Sequence, residues 1–413
     1  MQLGEEMFDG LLLGSHLCHP EDLIDLITEQ AAPVGLHDPV IYLADLQQVS
    51  LVRLPRGRVR GHIRPVERHP IDTTAIGRVF RHSQVRTVPE DGGRYRIWVP
   101  LLDGTSRLGV LRLTVSADAS GQQVDPLLAR RARRLASLVS LLVVSKRAYS
   151  DTIVELTRRD SMTLSAEMQW GLLPPLTFST SNIVVTGALE PAYKVAGDTF
   201  DYGIVDDHVH LALFDAAGHD LSSAVVVGLA AAAYRLARRA GLPLADLGRE
   251  IDTVLAARFG PPDLVTGVLA HFDAQTGKLE WVLRGHPPPV LIRDGKWVKT
   301  LTLKPGLPMG IGLDRPVDVG VVQLEPGDRL LFYTDGVTEA RDSDGNEFGL
   351  DRLVDFVIRR EADELPAPET LRRLIQTILD HQHGRLQDDA TVLLVEWSPT
   401  ASSTPPTAAP LGS

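Results

Sequence analysis

Val195-Ala-Gly-Asp-Thr-Phe-Asp201 is the first of four short motifs in which an aspartate lies beside a glycine, an alanine or a second aspartate. The others are Phe214-Asp-Ala-Ala-Gly-His219, Tyr333-Thr-Asp-Gly336 and Gln387-Asp-Asp-Ala-Thr391. Each motif is predicted to follow a β-strand, which would gather the carboxylates at one edge of a sheet. These candidate ligands are Asp198, Asp215, Asp335 and Asp388. Crowded carboxylates repel one another unless a cation lies among them, and hard oxygen ligands select Mg²⁺ or Mn²⁺. The motifs therefore predict a metal-assisted hydrolase.

The composition is that of a soluble globular protein, with 413 residues, 44% hydrophobic and 23% charged. Two or three domains are expected, because single cores rarely exceed about 250 residues. The net charge of −11 argues against a general nucleic-acid binder. A single cysteine, Cys18, excludes an intramolecular disulfide and fits a reducing compartment. The acidic N-terminus is unlike a signal peptide, and the longest apolar stretch, around residues 135–144, is too short for a bilayer. We expect a cytoplasmic protein with neither nucleic acid nor membrane as a partner.

Residues 1–125 mix helical and strand patterns in an α/β arrangement. Arg96–Leu102 and Leu108–Val115 are predicted to pair around Asp103-Gly104. Together with Pro70–Phe80, this pair resembles a GAF-type sensory domain, which implies a ligand or partner as its input. The six arginines between residues 53 and 68 indicate a solvated face or, alternatively, a patch for an anionic ligand or nucleic acid.

Residues 126–173 are predicted to form a helical linker. Between residues 127 and 170 the chain has 44 residues without Gly or Pro, and a continuous helix of that length would measure about 65 Å. Its apolar positions recur at near-helical spacing, so a parallel homodimer through this signalling helix is expected. The alternative is a pair of shorter helices folded back on their own domain.

Residues 174–397 are predicted to form a second globular unit, opened by Pro174-Pro175. Many strands with a few inserted helix pairs predict an α+β layered fold built on antiparallel sheets. The predicted strands are 183–189, 209–214, 264–273, 279–283, 289–292, 328–333 and 390–396, and the predicted helices are 222–240, 244–257, 349–360 and 369–381. Residues 398–413, rich in Ser, Thr, Pro and Ala, are expected to be disordered.

Seven motifs in order resemble those of the metal-dependent PPM-type serine/threonine phosphatases, in the branch with SpoIIE-like and RsbU-like proteins. Besides the four aspartate motifs, they are Glu167–Pro175, Gly285-His-Pro-Pro-Pro289 and Gly306-Leu-Pro-Met-Gly310. The resemblance implies an α-β-β-α layered domain with two Mn²⁺ or Mg²⁺ ions. Asp215 would bridge the ions, and the carbonyl of Ala216 would be a further ligand. Asp198 would hold one ion largely through water, and Asp335 and Asp388 would complete the second.

Several neighbouring residues have both a supporting and a structural interpretation. Asp201 is expected to support the ligands by hydrogen bonding or, alternatively, to be a ligand itself. Asp389 is expected to be a turn residue that supports the start of the next strand, and Gly336 to support Asp335 in the turn that follows it. His219 either caps the following helix or supplies a proton to the leaving alkoxide.

Other residues are expected to be structural. His286 is expected to pack a loop, Glu339 to fix the loop that carries Asp335, and Thr266 to be buried and hydrogen-bonded without a chemical role.

Three departures from the family pattern are visible. Lys194 stands where an acidic residue is usual, Ala196 replaces a common Gly, and Asp220 follows Gly-His. Lys194 would lower metal affinity or, alternatively, contact the substrate phosphate. Asp220 is expected to cap the next helix. None of the four aspartate ligands is lost.

Three functions are consistent with these features. The first is a phosphatase that acts on a phosphoserine or phosphothreonine of an anti-sigma-factor antagonist or similar regulator, under control of the sensory domain. The second is a non-catalytic dimeric sensor or scaffold. The third is a hydrolase of small phosphate esters.

Overall fold

The computed structural model describes residues 2–57, 67–121, 123–218, 220–313, 315–363, 365–384 and 386–398. The chain divides into two compact units, one reaching to Asp160 and the other beginning at Ser161. The predicted disordered tail lies, from residue 399 onward, outside the described residues, as does most of the arginine-rich segment.

The N-terminal unit is built on one antiparallel sheet of six strands in the order β3-β2-β1-β6-β5-β4. The strands are β1 (His37–Ala44), β2 (Ser50–Arg53), β3 (Arg68–Pro70), β4 (Arg86–Glu90), β5 (Arg94–Asp103) and β6 (Ser106–Ser116). Strands β5 and β6 pair along their length around the Asp103-Gly104 turn, which confirms the predicted hairpin.

Helices cover both faces of this sheet. They are α1 (Gln2–Ser15), α2 (Leu23–Ala31), α3 (Ala75–His82), α4 (Pro126–Arg147) and α5 (Asp151–Thr157), with 3₁₀ turns at Pro20–Asp22 and Ala32–Val34. On one face Leu11, Ile27 and Leu135 belong to the main core with the strands. On the other face, Val79 and Phe80 of α3 pack into a smaller core.

The single helix predicted over residues 127–170 is wrong, because the chain forms three separate helices there. Helix α4 ends at Arg147, α5 spans Asp151–Thr157, and α6 spans Leu164–Leu172. The Ser150 side chain accepts a hydrogen bond from the backbone N–H of Ile153, and Thr163 accepts one from that of Ala166. Such hydroxyl caps begin new helices without any Gly or Pro. The apolar stripe of α4 is buried within its own unit.

The C-terminal unit contains two antiparallel sheets. Its strands are β7 (Thr177–Ser179), β8 (Ile183–Glu190), β9 (Asp198–Val205), β10 (His208–Ala216), β11 (Val265–Asp273), β12 (Lys278–Arg284), β13 (Val290–Arg293), β14 (Lys296–Thr300), β15 (Gly320–Gln323), β16 (Arg329–Tyr333) and β17 (Ala390–Trp397). The first sheet has the order β15-β12-β11-β10-β9 and the second β14-β13-β16-β17-β8-β7. Every strand predicted for this unit is present, and β7, β9, β14 and β15 are unpredicted additions.

The two sheets pack face to face, and helices cover both outer surfaces. The helices are α6, α7 (Leu221–Arg239), α8 (Leu244–Ala256), α9 (Asp335–Thr338), α10 (Leu350–Ala362) and α11 (Ala367–His381). Phe200 and Phe332 lie in the core between the sheets. Tyr234 of α7 packs on the outer side of the first sheet, and Leu374 of α11 on that of the second. This is the predicted α-β-β-α arrangement.

Helix α7 is the one helix in the described ranges that is long and apolar enough to cross a membrane. It packs on the first sheet, and 56% of its most apolar stretch is buried. A core helix of a soluble protein has the same properties, so this is weak support for a membrane segment.

Candidate metal centre

The four aspartates lie near strand ends, but on two different sides of them. Asp215 is the penultimate residue of β10 and Asp335 follows β16, as predicted. Asp198 instead opens β9, and Asp388 precedes β17, so the prediction that each closes a strand is wrong for these two. They still lie near the others because β9 pairs antiparallel with β10, with Asp198 opposite Asp215. Strand β17 pairs with β16 in the same way.

Asp198 is buried and is held by two hydroxyls from the second sheet. Its Oδ2 accepts hydrogen bonds from Thr334 Oγ1 and Thr391 Oγ1, each at 2.7 Å. The backbone N–H of Thr391 donates to Thr334 Oγ1 at 3.0 Å, which ties the two threonines together. Sequence reasoning assigned them no role, although both stand inside the aspartate motifs. They connect the two sheets at the site.

Asp389 organises the backbone that leads into Asp198. Its Oδ2 accepts hydrogen bonds from the N–H groups of Ala196, Gly197 and Asp198 at 2.9, 2.6 and 3.3 Å. The supporting role expected of Asp389 therefore has a concrete contact. Charge-assisted bonds of this kind are stronger than neutral ones.

Two glycines of the motifs are needed because other backbone comes close. A Cβ on Gly336 would lie 1.9 Å from the carbonyl oxygen of Asp389, and one on Gly197 would lie 2.7 Å from that of Gly218. The backbone N–H of Ala216 donates to the carbonyl of Gly197 at 2.9 Å. The Ala216 segment is thereby joined to the loop before Asp198.

The carboxylates raise one another's pKa. Burial, followed by the charges of Asp335, Asp388 and Asp389, raises the pKa of Asp215 to about 7. Burial and the charge of Asp388 raise the pKa of Asp335. The pKa of Asp198 is well above its usual value because of burial and then of Asp215 and Asp389, although the two threonine hydroxyls oppose this. Repulsion among these carboxylates is therefore concentrated at the edge of the sheets where they lie.

The donor set suits a hard divalent cation. Its members are carboxylate oxygens, with the Ala216 carbonyl beside them, and their mutual repulsion would be relieved by positive charge. As placed, no three His, Cys, Asp or Glu side chains in the described ranges stand close enough together to form a metal-binding group. The residues fit the implied cation by their chemistry and electrostatic coupling.

The remaining predicted residues have different surroundings. Asp201 is buried and accepts a hydrogen bond from Arg235 Nε at 2.7 Å, so it fastens β9 to α7. Lys194 is exposed on the turn before Asp198. Asp220 caps α7 by accepting a hydrogen bond from the N–H of Ser223, as expected. His219 lies outside the described residues.

The loop with Gly306–Gly310 is positioned by a residue that sequence reasoning missed. Asp252 of α8 is buried, and its Oδ1 accepts hydrogen bonds from the N–H groups of Gly310, Ile311 and Gly312 at 2.7, 2.9 and 3.0 Å. Met309 bridges to Val265, which lies opposite Ala216. No sequence signal distinguishes Asp252 from an ordinary helix residue.

The comparisons agree with the motifs. The family described as Stage II sporulation protein E (SpoIIE) matches residues 205–398. Protein IcfG of Synechocystis sp. is 24% identical over 55% of this chain and 40% of its own length. Phosphoserine phosphatase RsbP of Bacillus subtilis is 25% identical over 49% of each chain. Phosphoserine phosphatase RsbU of the same organism is 20% identical over 57% of this chain and 70% of its own.

The match extends over only part of each protein. This chain spans about half the length of the first two relatives, 40% and 49%. The region matched by the family model lies within the two-sheet unit and includes Asp215, Asp335 and Asp388, whereas Asp198 precedes it. The C-terminal unit is accordingly similar to the SpoIIE family and to the phosphoserine phosphatases RsbP and RsbU.

Proposed function

We propose that this protein is a metal-dependent phosphoprotein phosphatase that acts on phosphoserine or phosphothreonine. The observation that carries the proposal is the position of Asp198 directly opposite Asp215, together with the pKa of Asp215, which is raised by burial and then by the charges of Asp335, Asp388 and Asp389. A scaffold that only binds a partner would not need this repulsion.

Each residue has a separate part in the proposed centre. Asp215 would hold both cations, with the Ala216 carbonyl as a further ligand. Asp198 would hold one cation largely through water, and Asp335 and Asp388 would complete the second. Two divalent cations, when bound, lower the pKa of a water and neutralise the phosphoryl oxygens during in-line attack. Asp389, Thr334 and Thr391 keep the Asp198 segment in place.

The substrate is proposed to be a phosphorylated regulator of the anti-sigma-factor antagonist type. The names of the relatives RsbP and RsbU as phosphoserine phosphatases support a phosphoserine substrate. Small phosphate esters remain the alternative substrate class, because the described contacts define the metal edge rather than a substrate surface.

The N-terminal unit is proposed to be a GAF-like sensory domain that controls the phosphatase in the cytoplasm. A six-stranded antiparallel sheet covered by helices on both faces supports this assignment. A homodimer through residues 127–170 belongs to the same proposal. The apolar side chains that α4 leaves exposed for it are Leu127, Leu141 and Val144.

The test is hydrolysis of p-nitrophenyl phosphate by the full chain with Mn²⁺, with Mg²⁺ and with EDTA, beside Asp335→Ala. Asp355→Ala is the matched control, because Asp355 is exposed on α10 and its side chain makes, within the described ranges, only an ion pair with Arg359 at 3.7 Å. Turnover that requires metal, disappears in Asp335→Ala and persists in the control is expected. Full turnover in EDTA or in Asp335→Ala would contradict the proposal.

A further inference from the structure

Thr266 and His286 form a hydrogen-bonded pair beside the candidate metal centre. Thr266 Oγ1 and His286 Nδ1 are 3.0 Å apart. Thr266 lies on β11, directly opposite Asp215 on β10. His286 follows β12, where Gly285 bridges to Gly267. Neither residue is a candidate cation ligand.

Thr266 lies on the same face of the sheet as Asp215. Alternate residues of β11 that share this face, Val268 and Phe272, belong to the core between the two sheets. Residues directly opposite in an antiparallel pair have Cβ atoms about 4.5–5.5 Å apart. Thr266 is therefore the immediate neighbour of Asp215 on the inner face. It is half-buried, as Asp215 is, so both border the open edge.

His286 lies behind Thr266 and is 4% exposed. Burial lowers the pKa of His286 to about 3, so the ring is neutral at physiological pH. A neutral imidazole has one N–H donor and one acceptor nitrogen. The backbone of Tyr333 acts to raise the pKa of His286, against the larger effect of burial. The Nε2 atom has no hydrogen-bond partner in the described structure. We assign the ring proton to Nε2, because Nδ1 faces the Thr266 hydroxyl and can then accept its hydrogen.

This direction of the hydrogen bond determines what Thr266 can do. With its only hydrogen donated to His286, the Thr266 oxygen has lone pairs available as acceptors. Those lone pairs lie beside Asp215, where the resemblance places the bridging ligand. A hydrogen-bond acceptor there suits a water molecule and does not suit a phosphoryl oxygen, which is itself an acceptor.

We propose that Thr266 and His286 are a positioning pair for the phosphatase reaction, in which His286 orients the Thr266 hydroxyl and the Thr266 oxygen accepts a hydrogen bond from the attacking water. This inference rests on the proposed function. No bond is formed or broken in the pair. By accepting one hydrogen of the water, Thr266 orients a lone pair of that water toward the phosphorus atom.

The test compares four variants of the full chain with p-nitrophenyl phosphate. Thr266→Val removes the hydroxyl at nearly constant shape, Thr266→Ser retains it, and His286→Asn retains a polar group near the position of Nδ1. Thr186→Val is the matched control, because Thr186 is 3% exposed on β8 and its hydroxyl has no partner in the described structure. For each variant, kcat, KM, Mn²⁺ affinity by electron paramagnetic resonance and the thermal midpoint are measured.

Thr266→Val is expected to lower kcat about tenfold, the effect of one lost hydrogen bond in the transition state. KM, Mn²⁺ affinity and the thermal midpoint should stay near the wild-type values. Thr266→Ser should restore kcat to within about threefold, and His286→Asn should lie between the two. The Thr186→Val control should retain full turnover.

Three results would overturn the inference while leaving the phosphatase function intact. They are unchanged kcat in Thr266→Val, a loss of Mn²⁺ affinity that accounts for the whole loss of rate, and an equal loss in Thr266→Ser. Absence of turnover by the wild-type chain with any divalent metal would instead remove the proposed function itself.

Discussion

Asp389 shows how one carboxylate can shape a site without being one of its ligands. It accepts three backbone N–H groups from the segment that leads into Asp198. That segment is only a loop, and loops adopt one conformation when their polar groups are fixed by partners. The position of Asp198 thus depends on a residue nearly two hundred positions later in the chain.

Asp389→Ala is expected to lower the free energy of unfolding by about 2–3 kcal/mol, because three buried N–H groups lose a charged acceptor. Urea unfolding of the purified protein measures this change. Asp389→Asn retains one acceptor oxygen and should cost less. Equal urea midpoints for wild type and Asp389→Ala would show that these hydrogen bonds do not stabilise the fold.

The pKa of Asp215 gives the metal-free protein a specific dependence on pH. A carboxyl whose pKa is raised from 3.8 to about 7 by folding binds more protons in the folded state. The contribution of Asp215 to the stability of the metal-free protein therefore falls as pH rises from about 4 to about 7. We expect thermal midpoints in EDTA to decline over this range.

Asp215→Asn provides the matched comparison, since its side chain is neutral and similar in shape. It should flatten the decline and raise the thermal midpoint in EDTA at pH 8. Mn²⁺ should raise the midpoint of the wild type much more than that of the variant. Parallel pH curves for the two proteins would show that Asp215 is not the group responsible.

At the scale of elements, antiparallel pairing explains why Asp198 and Asp388 lie near the other aspartates although the strand ends predicted for these two were wrong. Asp198 opens β9 and Asp388 precedes β17, and yet both lie near residues that follow their partner strands. The motifs predicted that these aspartates approach one another, and the structure places Asp198 opposite Asp215 and lets the charges of Asp335 and Asp388 act on Asp215. They did not predict the direction of approach, because a short Asp-Gly motif is equally compatible with the start and the end of a strand.

For the helices between residues 126 and 172, by contrast, the sequence pattern led to a wrong prediction. A lack of Gly and Pro predicted continuity, but Ser150 and Thr163 each cap a new helix. A hydroxyl residue inside a helical pattern is ambiguous, because it caps a helix only when its own backbone is extended. The sequence contains the caps, and tertiary packing determines that they are used.

The contact between Gly336 and Asp389 gives a prediction for α9. Gly336→Ala would place a Cβ 1.9 Å from the Asp389 carbonyl oxygen, so the turn that carries Asp335 must move. We expect a loss of at least about 2 kcal/mol in unfolding free energy, with turnover abolished. Calorimetry and p-nitrophenyl phosphate hydrolysis measure the two effects.

Gly171→Ala is the control for that substitution, because a Cβ there meets no atom within 4 Å and the residue lies in α6. Alanine should stabilise that helix by up to about 1 kcal/mol. If Gly336→Ala were as stable and active as Gly171→Ala, the close approach to Asp389 would not constrain the turn.

At the scale of the whole molecule, the boundary between the units lies later than the globular boundary expected near residue 125. Ile153 and Leu156 of α5 are buried in the core of the N-terminal unit. Helix α6 belongs with the catalytic unit, where Gln169 Nε2 donates to the carbonyl of Ala196 at 3.1 Å. Helical patterning alone could not assign α5 and α6 to different units, because both are short.

This division predicts where the chain can be cut. A fragment of residues 161–398 should unfold cooperatively and retain metal-dependent turnover, since the three large cores of the C-terminal unit are complete within it. A fragment of residues 174–398 lacks α6 and should be less stable. Circular dichroism melts and p-nitrophenyl phosphate hydrolysis compare them. Equal melting temperatures would contradict a structural role for α6.

Contacts between distant parts of the sequence limited what could be predicted for the site. The aspartates, the layered fold and the Asp220 cap follow from local motifs and alternation. The roles of Thr334, Thr391 and Asp252 do not, because each depends on a partner more than fifty residues away. The Thr266–His286 pair was visible only as two residues with ordinary structural interpretations.

The position of β17 has a consequence for how the protein is made in the cell. This strand is the last of the C-terminal unit, and it lies in the middle of the second sheet, between β16 and β8. It also brings Thr391 to the site and follows directly after Asp388 and Asp389. A nascent chain still short of this strand therefore lacks both a central strand and part of the cation-binding edge. We therefore expect the proposed phosphatase activity to appear only after the ribosome has completed β17, and chains truncated before it to be inert.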